Sequence, residues 1–240
     1  MFSKKFWSTF FIFFFILDFL MIGLHLWLGQ DYNLVNIDLE KNLPTLYQVF
    51  KLFTISSVIA GIIALFHTKN LLSTKLKWLL FPYWFSFAYI GLDELGEIHE
   101  SFGEAIQYSE GWLAKYGELW TSIGFSSAWW LAFFAPILLI SLVYLYYFIK
   151  WLYKENTHLI HWLIFGISCY ALVFGIEFWN TSNAASGYTF DQKNLLVTIE
   201  EGLELVGATF FLIFNVKLYQ FYFSLKSKTK PSKTKTLAKK

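Results

Sequence analysis

The chain has 240 residues, of which 56% are hydrophobic and 22% aromatic, whereas only 15% are charged. A water-soluble domain of this size could not bury that much apolar surface, so the composition excludes an ordinary soluble protein and indicates an integral membrane protein. The net charge is +2, and the single cysteine, Cys169, excludes both an intrachain disulfide and a cysteine-based metal centre.

Six apolar segments are each about twenty residues long, which is enough to cross the hydrocarbon layer of a membrane. We therefore predict an all-α fold, a polytopic membrane helix bundle with six transmembrane helices over residues 1–225. The predicted spans are 6–28, 46–66, 77–98, 126–149, 159–179 and 195–222.

The lysines predict the orientation of these spans. Lys4 and Lys5 precede an apolar run that lacks an A-x-A-like cleavage site, so we expect the first span to be retained rather than removed as a signal peptide. Lysines recur between spans two and three, between spans four and five, and in the tail, whereas the other connections are mainly acidic. Because positively charged loops stay in the cytoplasm, both termini are expected inside, with the protein in the inner (cytoplasmic) membrane.

The last fifteen residues, 226–240, contain seven lysines in the segment KSKTKPSKTKTLAKK. This composition predicts a disordered cytoplasmic tail. An anionic membrane surface is its expected partner, and we expect no nucleic-acid partner.

Several carboxylates interrupt the apolar segments, most densely in LDELGEIHESFGE at residues 92–104. A charged group in hydrocarbon is costly, so an intramembrane acid indicates a functional site. At about 1.5 Å per helical residue, acids on four spans lie roughly 16 to 27 Å above the cytoplasmic boundary of a layer about 30 Å thick. The candidate metal ligands are Asp18, Asp93, Glu97, Glu100, Glu177, Glu201 and Glu204.

Helical periodicity arranges some of these acids on common faces. At about 100° per residue, Glu201 and Glu204 share one face of span six, while Glu94 and His99 point away from a narrow stripe at the end of span three. Each acidic face could point into the bundle. The stripe consists of Asp93, Glu97, Glu100 and Glu104.

The charges in this group do not balance. We find no lysine at matching depth in any span, and the nearby bases are His25 and His99. Acids held close together must share protons, line a water-filled cavity or bind a cation. A divalent metal ion answers the excess most directly, and oxygen ligands with one or two histidines favour Fe, Mn or Zn.

One sequence pattern resembles a known group. The combination LDE...HE at residues 92–100 and EE-x-x-E-x-x-G at residues 200–207 resembles a pattern in uncharacterised multi-pass bacterial membrane proteins. The resemblance covers spans three and six and implies no activity.

Two functions from different classes follow. The first is a metal-dependent membrane hydrolase or oxidoreductase acting on a lipid or small apolar substrate, in which His25 or His99 is catalytic because it completes the metal shell or moves a proton. The alternative is a small cation- or proton-coupled transporter, for which a homodimer could supply the pathway. The third option is an accessory membrane subunit whose acids are structural, and in every case the lipid bilayer is an expected partner.

Overall fold

The structure is a computed structural model that describes residues 4–29, 31–37, 39, 41–68, 73–98, 129–155, 157–180 and 188–228, with isolated positions between 101 and 122. Within these residues the secondary structure is helical and contains no strand, which confirms the predicted all-α class. Residues 229–240, most of the predicted tail, lie outside the described residues.

The described residues contain six α-helices, one for each predicted apolar segment. A short 3₁₀ helix, Asn33–Val35, lies in the first connection. The helices are α1 (Lys4–Leu28), α2 (Leu43–His67), α3 (Thr74–Gly96), α4 (Trp129–Glu155), α5 (Thr157–Asn180) and α6 (Phe190–Lys228).

Three of these helices, α1, α2 and α5, are long and apolar enough to cross a membrane, with mean hydropathies of 2.2, 2.2 and 2.0 over the described residues. Large apolar side chains on their outer faces are exposed, such as Ile16 and Phe19 on α1 and Leu172 on α5. Exposed apolar surface on this scale is stable when lipid covers it. The structure therefore supports a membrane protein.

Local sequence signals set two of the helix starts. Asn42 caps α2 by accepting a hydrogen bond from the backbone N–H of Thr45 at 3.2 Å, and Pro44 lies in the first turn, where no helical donor is needed. Ser73 caps α3 in the same way through the N–H of Leu76, also at 3.2 Å. Both caps satisfy backbone donors that would otherwise lie unpaired at the helix start.

The last helix, α6, lies at the centre of the bundle and packs against α5, α2 and α1. Two glycines allow α5 and α6 to approach closely. A Cβ atom added at Gly207 would lie 2.9 Å from Cβ of Cys169, and one added at Gly166 would lie 3.1 Å from the ring of Phe211. Because other helices shelter it from lipid, α6 can carry polar residues such as Asn215, which is fully buried and donates to the hydroxyl of Tyr83 at 3.0 Å.

Candidate functional site

A buried ion pair joins α1 to α2 in the interior of the bundle. Nζ of Lys51 lies 2.7 Å from Oδ1 of Asp18, and both side chains are completely inaccessible to solvent. The hydroxyl of Tyr47 donates to the same Asp18 oxygen at 2.9 Å, and that of Thr209 donates to Oδ2 at 2.6 Å. We call these four residues the aspartate–lysine network.

The ammonium group of Lys51 makes two further contacts. It donates to the backbone carbonyl of Leu205 on α6 at 2.6 Å, and it lies 4.4 Å from the centre of the Tyr47 ring. Three helices therefore supply hydrogen bonds or a ring face to one buried cation. Such complete satisfaction is what keeps a charged pair stable in an apolar interior.

This pair corrects the sequence analysis, because the expectation that no lysine lies at matching depth is wrong. Asp18 lies ten residues before the end of α1, and Lys51 lies eight residues after the start of α2. These offsets correspond to depths of about 15 and about 12 Å from the same side, so the two groups meet. Both Asp18 oxygens already accept hydrogen bonds, and a metal ion there would have to break the ion pair.

A second group of charges gathers on three other helix faces. The carboxylate of Glu204 on α6 lies within electrostatic range of four further glutamates, which come from α3, α5 and α6 itself. The side chains of all five are partly buried. We call them the glutamate cluster: Glu94, Glu177, Glu200, Glu201 and Glu204.

Polar groups from α2 and α5 border the glutamate cluster. The hydroxyl of Tyr170 lies within electrostatic range of Glu204 and Glu94, and it accepts a hydrogen bond from Nε2 of Gln48 at 3.2 Å. Gln48 is only 4% exposed, and its buried Oε1 has no hydrogen-bond partner among the described residues. Turning the amide would leave Nε2 unpaired instead, so one polar atom of Gln48 remains unsatisfied beside the cluster in either orientation.

The two groups are electrostatically connected but differ in structure. Lys51 lies within electrostatic range of Glu204 as well as in contact with Asp18. Among the described residues, no three His, Cys, Asp or Glu side chains lie close enough together to hold one metal ion directly. The cluster therefore gathers negative charge without forming a compact first coordination shell.

The helix that carries the predicted stripe ends earlier than expected, and the stripe residues Glu100 and Glu104 lie outside the described residues. Glu97 has a left-handed backbone with φ of 51°, so α3 ends there and the helical spacing that linked residues 93 to 104 is interrupted. The Glu97 carboxylate lies 2.6 Å from Nζ of Lys41 in a partly exposed ion pair. Asp93 lies within electrostatic range of the Tyr89 hydroxyl, and Glu94 is the acid of α3 that lies near Glu204.

His25, a predicted catalytic residue, has both ring nitrogens engaged. The backbone N–H of Ile37 donates to Nδ1 at 3.1 Å, so the ring proton lies on Nε2, which donates to the hydroxyl of Thr198 at 3.1 Å. Thr198 in turn donates to the backbone carbonyl of Asn194. His25 thus ties α1 to α6 and to the first connection. The other predicted base, His99, and the predicted ligand Glu100 lie outside the described residues.

Comparison with known proteins assigns the chain to a family. The family model described as Domain of unknown function (DUF8692) matches residues 9–218. The chain belongs to this family. The DUF8692 region includes both the aspartate–lysine network and the glutamate cluster. No match was found among curated proteins or among solved structures.

Three residues in the interior of this DUF8692 bundle were not predicted from the sequence: Lys51, Tyr170 and Gln48. The signal for Lys51 was present in the sequence, because a lysine inside an apolar span is as costly as an acid. Tyr170 and Gln48 gave no such signal. Their positions depend on which faces of α2 and α5 turn inwards.

Proposed function

We propose that this protein binds a divalent cation in the glutamate cluster and that this site is its functional centre. The observation that carries the proposal is the convergence of five glutamates from α3, α5 and α6 around Glu204. Like charges held together in a partly buried site destabilise the fold, and a bound cation relieves that repulsion.

The spacing of the glutamates favours a cation that keeps part of its water shell. Divalent ions such as Mg²⁺ are commonly bound by one or two carboxylates together with several waters, which fits a site that lacks three closely placed ligands. The unpaired Oε1 of Gln48 would accept a hydrogen bond from one of these waters or from a bound substrate, because Gln48 contacts Tyr170, whose hydroxyl lies within electrostatic range of Glu204. Fe, Mn and Zn remain candidates because small rotamer changes of glutamates would shorten the ligand distances.

Such a cation supports a metal-dependent enzyme acting on a lipid or small apolar substrate. The ion would polarise a substrate oxygen or activate a water molecule. The chain's own contribution would be to hold the water near Gln48 and Tyr170, and to keep Glu204 close to the ion. The apolar helix α5, which carries Glu177 and exposes Leu172, would give an apolar substrate access from the membrane.

A second function, cation- or proton-coupled transport, is favoured by one specific observation. The buried Asp18–Lys51 pair lies within electrostatic range of Glu204, so a cation that binds or leaves the cluster changes the field on a charged pair deep in the bundle. Coupled acids and bases inside membrane helices are the elements from which proton and ion pathways are built.

The membrane arrangement belongs to the same proposal. We infer six spans, α1 to α6, with both termini in the cytoplasm and the glutamate cluster near the opposite face of the inner membrane. Support comes from the alternation of lysine-rich and acidic connections along the chain. Single-cysteine labelling in intact cells, on a background in which Cys169 is replaced by serine, would test this topology.

The cation proposal is tested by elemental analysis of purified full-length protein dialysed against Mg²⁺, Mn²⁺, Fe²⁺ and Zn²⁺ in turn. We expect about one bound ion per chain. Glu204→Gln should lose this ion, whereas Glu97→Gln should retain it because Glu97 pairs with Lys41 and is not one of the five cluster glutamates. Equal loss in both variants, or no bound ion in the wild type, would overturn the proposal.

The two uses of the cation are separated in liposomes. A transporter moves substrate or protons across the membrane when a cation gradient is imposed, and that flux should disappear in both Glu204→Gln and Lys51→Met. An enzyme shows no such flux, but it converts lipid or apolar substrate with a dependence on the ion that Glu204→Gln abolishes.

A further inference from the structure

A cleft of about 530 Å³ lies between α2 and α3, near the lysine-rich ends of these helices and apart from the charged groups described above. Two alanines and larger apolar side chains line it, and its polar residues lie where α2 ends and α3 begins. The lining residues are Ala60, Ile63, Ala64, His67, Thr68, Lys77, Phe81 and Trp84.

The cleft is long enough to hold part of one acyl chain of a lipid. It extends over eight residues on each helix, from Ala60 to His67 on α2 and from Lys77 to Trp84 on α3. The seven helical steps between these ends span about 10 Å, or about a third of a hydrocarbon layer about 30 Å thick. An acyl chain entering from one leaflet would lie between the alanines and the aromatic rings.

The polar end of the cleft is positively charged or neutral. Lys77 is exposed at this end, and neither its side chain nor that of His67 makes a hydrogen bond or ion pair within the described part of the chain. The amino-terminal turn of α3, capped by Ser73, is adjacent, and its backbone N–H groups favour a negative group. Basic pockets at this depth between membrane helices are suited to anionic lipid headgroups.

We propose that this cleft binds one phospholipid with an anionic headgroup from the leaflet on the lysine-rich side. The phosphate lies against Lys77 and His67, and one acyl chain lies between Ala64 and Trp84. Charge selects the occupant, because a zwitterionic lipid offers the same chains without net negative charge. The inference does not depend on the cation site.

Native mass spectrometry of the full-length protein, titrated with phosphatidylglycerol or with phosphatidylcholine of the same acyl chains, tests this proposal. We expect one phosphatidylglycerol to bind at lower concentration than phosphatidylcholine. Lys77→Gln should weaken that binding about fivefold, as expected for one lysine near an anionic headgroup. Lys75→Gln, two residues away on α3 but outside the cleft, should change it less than twofold.

A steric pair of variants tests the position of the chain. Ala64→Phe fills the cleft from the α2 side and should abolish the selective adduct, whereas Ala171→Phe on the exposed face of α5 should leave it unchanged. Equal affinity for the two lipids, equal effects of Lys75→Gln and Lys77→Gln, or binding unaffected by Ala64→Phe would each overturn the proposal.

Discussion

The aspartate–lysine network and the glutamate cluster are neighbouring groups of charged residues, but the charges are balanced in the first and of like sign in the second. In the network, one carboxylate faces one ammonium, and hydrogen bonds from Tyr47 and Thr209 complete the carboxylate. In the cluster, five glutamates of like charge are only partly buried. A balanced, sealed pair is suited to holding helices together, whereas a surplus of accessible negative charge is suited to binding a ligand.

The largest expected effect comes from breaking the balance of the network. Asp18→Leu leaves Lys51 buried without its ion-pair partner, and Lys51→Met does the same to Asp18. Each variant should lower the unfolding free energy by about 3–5 kcal/mol. The double variant should be much less destabilised, because two apolar side chains then replace the pair. Unfolding of the purified protein in detergent checks this double-mutant cycle. Additive losses in the double variant would show that the pair is not the source of the stability.

The next largest effect is the stabilisation of the folded protein when a cation binds to the glutamate cluster. At a cation concentration of about one hundred times its Kd, binding should raise the unfolding free energy by about 2.7 kcal/mol. Glu204→Gln should remove this gain and should be more stable than wild type without cation, because one like charge is gone. The readout is the same unfolding assay with and without Mn²⁺. A full cation response in Glu204→Gln would separate the cluster from the binding site.

A third variant probes the wall that carries Tyr170. Gly207→Ala places a methyl group 2.9 to 3.0 Å from Cys169 and the Tyr170 ring, so α5 must move away from α6 at a cost of about 1–3 kcal/mol. Cation affinity should fall because Tyr170 borders the cluster. Gly175→Ala, whose added methyl group has no neighbour within 4 Å, is the matched control and should not destabilise. Similar losses in both variants would point to a backbone effect instead.

The smallest effect is expected at the partly exposed ion pair of Lys41 with Glu97. Because solvent screens this pair, Lys41→Met should change the unfolding free energy by only about 0.2–1 kcal/mol, and cation binding should be unaffected. Isothermal titration calorimetry with Mn²⁺ measures the cation affinity. A large fall in cation affinity would mean that Glu97 and Lys41 belong to the site.

The sequence was sufficient to predict the six helices, because a run of about twenty apolar residues has few alternatives to a buried or membrane-spanning helix. It was less informative about where they end. The left-handed backbone at Glu97 stops α3 within an acidic segment whose composition would also suit a longer helix. A stripe computed from helical periodicity cannot continue across such a break.

The candidate site could be predicted only in part from the sequence, for a related reason. Periodicity gives the angle between Glu201 and Glu204 on one helix, but not which face of α3 meets α6, and this is why Asp93 was preferred to Glu94. That rotation is set by packing, for example where the ring of Phe87 on α3 lies against that of Phe211 on α6. Lys51 was predictable from its cost in an apolar span, and including it would have paired Asp18 correctly.

The most direct test of the account is the position of a bound cation. Anomalous diffraction from crystals of the protein soaked in Mn²⁺ would locate the ion without reference to any variant. The account predicts one peak among the carboxylates of Glu94, Glu177 and Glu204. A peak at Asp18 or Glu97 instead, or no peak at saturating Mn²⁺, would contradict it.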